Sequence, residues 1–592
     1  MLATNKNAIA NTWGTDFLFI CLTLSFFYVL WLGAHPLLTP DEGRYTEVAR
    51  EMVASGDYIT PRLNGVVFFD KPILYYWLQT IAIKLFGLNE WGLRVWPAAL
   101  GILGCLTTYI AGRLLFNRRT GILAGFILAT NPLYYGAAHY ANLDLEVSVL
   151  ISSSLFCSII GLTRLDANKN SFFSFVAAYF FAALAILTKG LIGLLFPMTI
   201  IGLWILVLNR WSVLKKMHLL IGTVIIIGMI SPWFVWVQKA NPQFFHFFFV
   251  TQQFSRFVSH DSFNNQAAWW YYLPIVFGGF FPWSVFLIQA LTIHCRKVFS
   301  KPNAQSIDLF LLLWIGFIFL FFSIPLSKTM GYILPIFPAI ALLIATTLDR
   351  VWDQTSIKSV SSGIVILIVS NLFLGIFCLI APYMTSLKRF HDSIPYALTA
   401  ALVFLSSALV FSLLIKNKPK TRIYFYTALI TAILLLLVLA VSSTIMNQKS
   451  LKPMAIVLKP LLRPTDEVVT YYKYYQDLPV YLERRMTVVA DWQNPTIPQR
   501  DNWLRELWYG IPYTDTSAWL INENTFWQRW SSNSRLYVFI YQSDWDSFAN
   551  KAKESMHTLA ESNHVRLVTN DGLGPFKQAL RVQLSQTHVA PQ

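Results

Sequence analysis

The chain has 592 residues, 55% hydrophobic, 16% aromatic and only 13% charged, with a formal net charge of +16. Soluble domains carry about twice that share of charged residues, so a soluble globular class is excluded. The basic excess does not read as a nucleic-acid footprint either, because Lys and Arg sit in short breaks between apolar runs, where they report membrane topology.

Apolar runs of spanning length, roughly 17 to 25 residues, recur from near the N-terminus to about residue 446. The pattern predicts helices over 16–35, 91–112, 120–138, 143–163, 172–188, 190–208, 218–238, 268–293, 306–325, 332–348, 359–381, 394–415 and 423–446. The expected class is thus a polytopic α-helical membrane protein with about 13 transmembrane helices. The first run exceeds a signal-peptide core and lacks a small-x-small cleavage site, so it reads as an uncleaved helix. Arg113, Arg118 and Arg119, Arg164 and Lys169, Arg210, Lys215 and Lys216, Arg296, Lys297 and Lys301, Arg350 and Lys358, and Lys416 to Arg422 occupy one set of breaks. With those cytoplasmic, segments 36–90, 239–267 and 447–592 face outward. Cys21, Cys105, Cys157, Cys295 and Cys378 have no metal-type spacing and imply no disulfide framework.

The outer segment 36–90 contains TPDEGRYTEVAR, residues 39–50. Thr39 as N-cap, Pro40 at the first position and Glu42 closing a capping box predict a helix start. Asp41, Arg44, Tyr45 and Val48 then share one face, and an amphipathic helix at the membrane surface is expected. Asp41 and Glu42 serve either the cap and helix dipole or a charged headgroup. FFDKPILYYW, residues 68–77, sets Asp70 and Lys71 beside Tyr75 and Tyr76. Lys71 suits either an anion or an interfacial anchor. Asp144 in ANLDLE is a helix-start acid or a site residue, and Lys328 and Tyr332 in SKTMGYILP lie at a helix end, where a lysine also snorkels. The segment 239–267 adds Arg256 and His260, with no metal ligand assigned.

From 447 to 592, strand-like runs (EVVTYY, LPVYL, MTVVA, RLYVFIY, HVRLVT) alternate with helix-like ones (RDNWLRELW, DWDSFANKAKESM), predicting a small α/β domain. The expected division is a membrane domain over 1–446, carrying surface helices in loop 36–90, and an outer α/β domain over 447–592. Polar sites on one outer face fit chemistry on membrane-borne substrates. A transferase working there must use a donor already attached to a lipid phosphate.

T-P-D-E-x-R-Y after the first helix, F-D-K-P-I-L-Y-Y-W about thirty residues on, A-N-L-D, and Y-I-L-P after an S-K turn together resemble the bacterial GT-C glycosyltransferases related to protein O-mannosyltransferases. Within that group they are similar to the lipid A aminoarabinose transferase (undecaprenyl phosphate–4-amino-4-deoxy-L-arabinose arabinosyltransferase) type. The resemblance implies a catalytic acid at Asp41, Arg44 and Tyr45 as its partners, Lys71 on the donor phosphate, and Asp144 and Tyr332 as further site residues. Catalytic Asp41 and Lys71, with Glu42, Arg44, Tyr45, Asp70, Tyr75, Tyr76, Asp144, Arg256, Lys328 and Tyr332 as substrate-binding residues, form the expected site.

The resemblance further implies an undecaprenyl phosphate-linked sugar donor, a lipid A or lipopolysaccharide acceptor, contact with membrane lipids, a monomer without nucleic acid, and an inner-membrane location with the site facing the periplasm. No cofactor is required, although a divalent metal is compatible with the family. The chain departs from the family's Glu-Lys-Pro-Pro at Asp70-Lys71-Pro72-Ile73, and from its Glu-His at Gln252-Gln253. Galactosamine or a hexose, delivered to lipid A, glycan or protein, is the rival within enzymes. A lipid-linked sugar flippase is the rival outside them, and it would place charges near the midplane within repeated halves.

Overall fold

The computed structural model describes residues 12–249, 266–304, 306–355, 361–384, 394–443, 450–499, 503–552, 556–562 and 564–570. The chain forms two compact units, one of residues 1–34, 94–235 and 265–446, the other of 35–93, 236–264 and 447–592.

The first unit is helical. Among the described residues ten helices of the chain are long and apolar enough to cross a membrane, and Tyr272–Gly279 with Trp283–Ser300, bent by 110°, makes an eleventh if counted as one span. The expected apolar runs are helical in place, but three of the thirteen fall short of an uninterrupted full-length span. Ile192–Leu208 is apolar but shorter. The run 120–138 divides into Arg118–Ala129 and Pro132–Ala138, because Asn131 caps the second piece by accepting from Tyr134 N at 2.9 Å and Pro132 opens it. The run 268–293 breaks at Gly278-Gly279 and Pro282, residues that interrupt helices.

Leu143–Asp166 is buried nearly all round, the state expected of a helix without a polar face. Close helix contact relies on small residues. A Cβ on Gly112 would stand 2.8 Å from Gly121 Cα, so Glu90–Leu115 and Arg118–Ala129 touch through glycine. Several arginines at helix ends are paired with acids. Asp16 accepts from Arg113 and Arg118 at 2.6 Å, and Arg119 pairs with Asp349 at 3.3 Å.

The second unit holds helices Asp41–Ser55 and Leu74–Phe86 and a hairpin of β1 (Arg62–Leu63) and β2 (Val66–Val67). Its turn is Asn64-Gly65, with φ of 51° and 80°, the left-handed pair that Asn-Gly supplies at two-residue hairpins. The C-terminal stretch builds a six-stranded sheet from β3 (Glu467–Tyr471), β4 (Thr487–Val489), β5 (Leu520–Ile521), β6 (Leu536–Tyr541), β7 (His557–Ser562) and β8 (Val565–Thr569), in the order β5-β4-β3-β6-β8-β7. The first four are parallel, and β8 and β7 continue antiparallel. Phe526, Trp530 and Phe548 from two helices cover Val469, Val489, Val538 and Val568 of the sheet.

Three local expectations change. LPVYL is a helix, Leu478–Leu482, since Pro479 fits a first turn but cannot donate in a strand ladder. Pro40, rather than Thr39, is the N-cap of Asp41–Ser55, and Glu42 reaches back to accept from Leu38 N at 2.7 Å. That helix is not a surface helix: Glu42, Gly43 and Tyr45 to Met52 are buried. Loop 36–90 packs with the C-terminal stretch. Asn64 donates to Met486 O at 3.0 Å and Leu37 N to the Tyr481 hydroxyl at 2.7 Å, while Lys452 pairs with Glu90.

Candidate functional site

Two polar clusters contain most of the expected residues, one in each unit. In the second unit the helix Asp41–Ser55 presents Asp41 and Arg44 one turn apart, and they form an ion pair. Arg44 also pairs with Glu506 from the short helix Arg505–Trp508. The three side chains are 24%, 15% and 5% exposed, so Asp41 lies at the open end of the chain of charges and Glu506 at its buried end. Gln476 Nε2 donates to the second Glu506 oxygen at 3.2 Å. Burial pushes the Glu506 carboxyl above the usual range, while Arg44 and the Gln476 hydrogen bond oppose that shift. For Arg44 the balance is the reverse: burial is outweighed by Glu506, Tyr45, Asp41 and Asp70, which hold the guanidinium charged.

Aromatic rings wall this cluster. The Arg44 guanidinium lies 4.9 Å from the Tyr45 ring centroid, and Tyr45 meets Tyr75 at 5.9 Å and Tyr76 at 6.3 Å. Gln79 holds the Tyr75 hydroxyl at 2.8 Å. The Tyr76 hydroxyl is buried without a hydrogen-bond partner among the described residues, and burial raises its pKa well above 10, with Asp70 adding to the shift and Arg44 opposing it. Lys71 Nζ donates to Asp70 O at 3.1 Å. Glu42, expected at the site, is fully buried and spent on the helix start. Behind the same helix Arg50 makes a two-pronged pair with Glu47, at 2.6 and 2.7 Å, and approaches Glu51 at 3.8 Å.

In the first unit Asp144, at the start of Leu143–Asp166, takes its N-terminal cap from Asn142, whose Oδ1 accepts from Asp144 N at 2.9 Å. Its carboxylate pairs with Lys189, the last residue of Phe172–Lys189. Lys189 Nζ stands 4.2 Å from the Tyr332 ring centroid, and a Cβ on Gly331 would collide with the Asp144 carboxylate. Asp144 and Tyr332 are thus brought together by a lysine that sequence reasoning passed over. Lys328 differs from expectation. It is 2% exposed, and its ammonium donates to Ala267 O at 3.0 Å and to Pro325 O, where it ties a turn.

Arg256, His260 and the Gln252-Gln253 pair lie outside the described residues. Among the described residues no group of three His, Cys, Asp or Glu side chains is arranged to hold a metal ion. Glu506 and Lys189 are partners of the candidate site residues that the sequence reading missed. Glu506 lay within the predicted helix RDNWLRELW, and Lys189 in the one-residue gap between the predicted helices 172–188 and 190–208.

Residues 70–236 match the family described as dolichyl-phosphate-mannose-protein mannosyltransferase. A relative from Enterobacter sp. (strain 638), named undecaprenyl phosphate-alpha-4-amino-4-deoxy-L-arabinose arabinosyl transferase, is 31% identical over 60% of this chain and 65% of its own length. A relative of the same name from Aeromonas hydrophila is 33% identical over 54% of this chain and 57% of its own. The chain thus spans somewhat less than two thirds of the curated relatives it matches. The crystal structure of ArnT from Cupriavidus metallidurans bound to undecaprenyl phosphate superposes with a TM-score of 0.79 at 27% identity, covering 96% of this chain and 100% of that one. The protein is a multi-pass membrane protein with the fold of the GT-C glycosyltransferases. Within that class it is similar in sequence and structure to the undecaprenyl phosphate-aminoarabinose transferases.

Proposed function

We propose that this protein is a glycosyltransferase that moves 4-amino-4-deoxy-L-arabinose from undecaprenyl phosphate to a lipid A phosphate, at the periplasmic face of the bacterial inner membrane. The observation that carries this reading is the match over nearly the whole chain to ArnT from Cupriavidus metallidurans, a structure holding undecaprenyl phosphate.

In the proposed step an acceptor phosphate oxygen attacks the anomeric carbon of the sugar. The new carbon–oxygen bond forms as the bond to the donor phosphate breaks, and the electron pair leaves on undecaprenyl phosphate. The acceptor is already anionic near neutral pH, so no general base is needed. The leaving phosphate needs a cation instead, and Lys71 is assigned that role, a contribution typically worth a few kcal/mol. Asp41, oriented by Arg44, is assigned to the positively charged sugar, through its amine or the charge that develops on the ring. Tyr45, Tyr75 and Tyr76 supply apolar walls against the sugar and the lipid. Asp144, Lys189 and Tyr332 form a second substrate-handling group. The transferred cation would lower the negative surface charge of the outer leaflet and weaken its attraction for polymyxin and other cationic peptides.

Mass spectrometry of lipid A from a deletion strain, complemented with wild type, Asp41→Ala or Lys71→Ala at matched membrane levels, tests the reading. The expected result is a pentosamine-sized addition restored by wild type alone. Loss of a hexose from protein in the deletion strain would instead favour the second reading, a mannosyltransferase-like activity, which the match of residues 70–236 supports.

A further inference from the structure

We infer that Glu506 is a positioning residue of the reaction, through which the C-terminal α/β stretch sets the geometry of Asp41. The inference rests on the reading of Asp41 given above.

Arg44 has two carboxylate partners, Asp41 on its own helix and Glu506 from a segment 462 residues further on. A guanidinium held by one acid alone can rotate about its long side chain, whereas one clamped from both sides presents a fixed donor to each. The Glu506 end is the buried one. It is 5% exposed, its second oxygen accepts from Gln476, and Gln476 itself is buried. The backbone makes the same connection. A Cβ on Gly43 would lie 2.7 Å from Gln476 C, so the first turn of Asp41–Ser55 sits directly against the strand-to-helix connection that carries Gln476. Asp41, by contrast, is the most exposed member and the one placed to meet substrate while it keeps its bond to Arg44. Replacing Glu506 with a neutral group releases Arg44 from its buried anchor and lets the Asp41–Arg44 pair move together. Misplacement of a reacting group by about 1 Å can cost on the order of a hundredfold in rate.

The test uses the full-length protein in lipid nanodiscs, with Glu506→Gln, Glu506→Asp, Arg44→Lys, the Glu506→Gln/Arg44→Lys double variant and Asp41→Asn. Three quantities are measured: turnover of the lipid-linked aminoarabinose donor with lipid A, binding of undecaprenyl phosphate itself by native mass spectrometry, and melting temperature. Glu506→Gln is expected to lower kcat by about ten- to a hundredfold, with KM and undecaprenyl phosphate affinity within about twofold of wild type. Glu506→Asp should recover part of that loss, and the double variant should lose no more than Arg44→Lys alone. Full kcat in Glu506→Gln overturns the inference. A loss accompanied by a lowered melting temperature and lost lipid binding also overturns it, since the role is then structural. If Asp41→Asn still turns over, the reading of the site itself falls. If Asp41→Asn is inactive while Glu506→Gln is normal, only the positioning role falls.

Discussion

Lys189 forms an ion pair with Asp144, 45 residues earlier in the chain, and its ammonium also sits over the Tyr332 ring. Two helix ends are thereby fastened by one cation with about a tenth of either side chain exposed. Removing one member of such a pair leaves a poorly solvated charge, a change that costs about 3–5 kcal/mol when burial is complete. Lys189→Met is therefore expected to lower the melting temperature clearly. Asp144→Asn/Lys189→Met should be more stable than Lys189→Met alone. Thermal denaturation of the purified variants checks the order.

Lys71 and Lys328 are both outer-segment lysines in the sequence, yet they have different prospects. Lys328→Ala removes the donor to Ala267 O and Pro325 O, so lower stability with little change in donor affinity among the folded molecules is expected. Lys71→Ala should keep the melting temperature and weaken undecaprenyl phosphate binding about tenfold or more, in line with loss of a charge-assisted contact. Lipid binding by native mass spectrometry, set beside melting curves, separates the two.

Gly43→Ala places a Cβ within 2.7 to 2.9 Å of the Gln476 and Asp477 backbone. Backbone cannot yield as a side-chain tip does, so a loss of about 1–3 kcal/mol in stability is expected. The displaced helix should also lose transfer activity, measured as the modified fraction of lipid A in cells with matched protein levels.

Asp477 carries a pH signature outside the membrane helices. Burial pushes its carboxyl up to about 6 from 3.8, against hydrogen bonds from Leu451 N and the Ser450 hydroxyl, both at 2.9 Å. The folded state binds the extra proton between those two values, so this contribution to stability is full below about 3.8 and fades as pH rises through 6. The difference is worth about 3 kcal/mol. Asp477→Asn should make the melting temperature less dependent on pH between 4 and 7, relative to wild type.

Much of this architecture could be read along the chain. Membrane helices declare themselves through hydropathy, and the shared face of Asp41 and Arg44 follows from helical spacing. Breaks inside apolar runs were harder to see, because hydropathy averages across Asn131-Pro132 and Gly278-Gly279 without registering the change of direction. LPVYL alternates like a strand, and only its proline, Pro479, argues otherwise. The partners of the site residues had no local signature at all. Glu506 pairs with Arg44 across 462 positions, and nothing in RELW distinguishes that acid from a solvated one. The burial of Asp41–Ser55 was partly hidden for the same reason: some of its cover comes from the other end of the chain.

The second unit is spliced from three distant stretches, and this imposes an order on biosynthesis. The helix Asp41–Ser55, with Glu47, Arg50 and Glu51 turned inward, leaves the ribosome long before Gln476, Arg485 and Glu506 exist. During that interval its ionic groups lack the part of their cover that the C-terminal stretch supplies, while hundreds of residues of apolar helix are still being inserted. A nascent chain halted before residue 447 would therefore present an unfinished polar helix to quality-control proteases, and full-length synthesis becomes the checkpoint for a stable product.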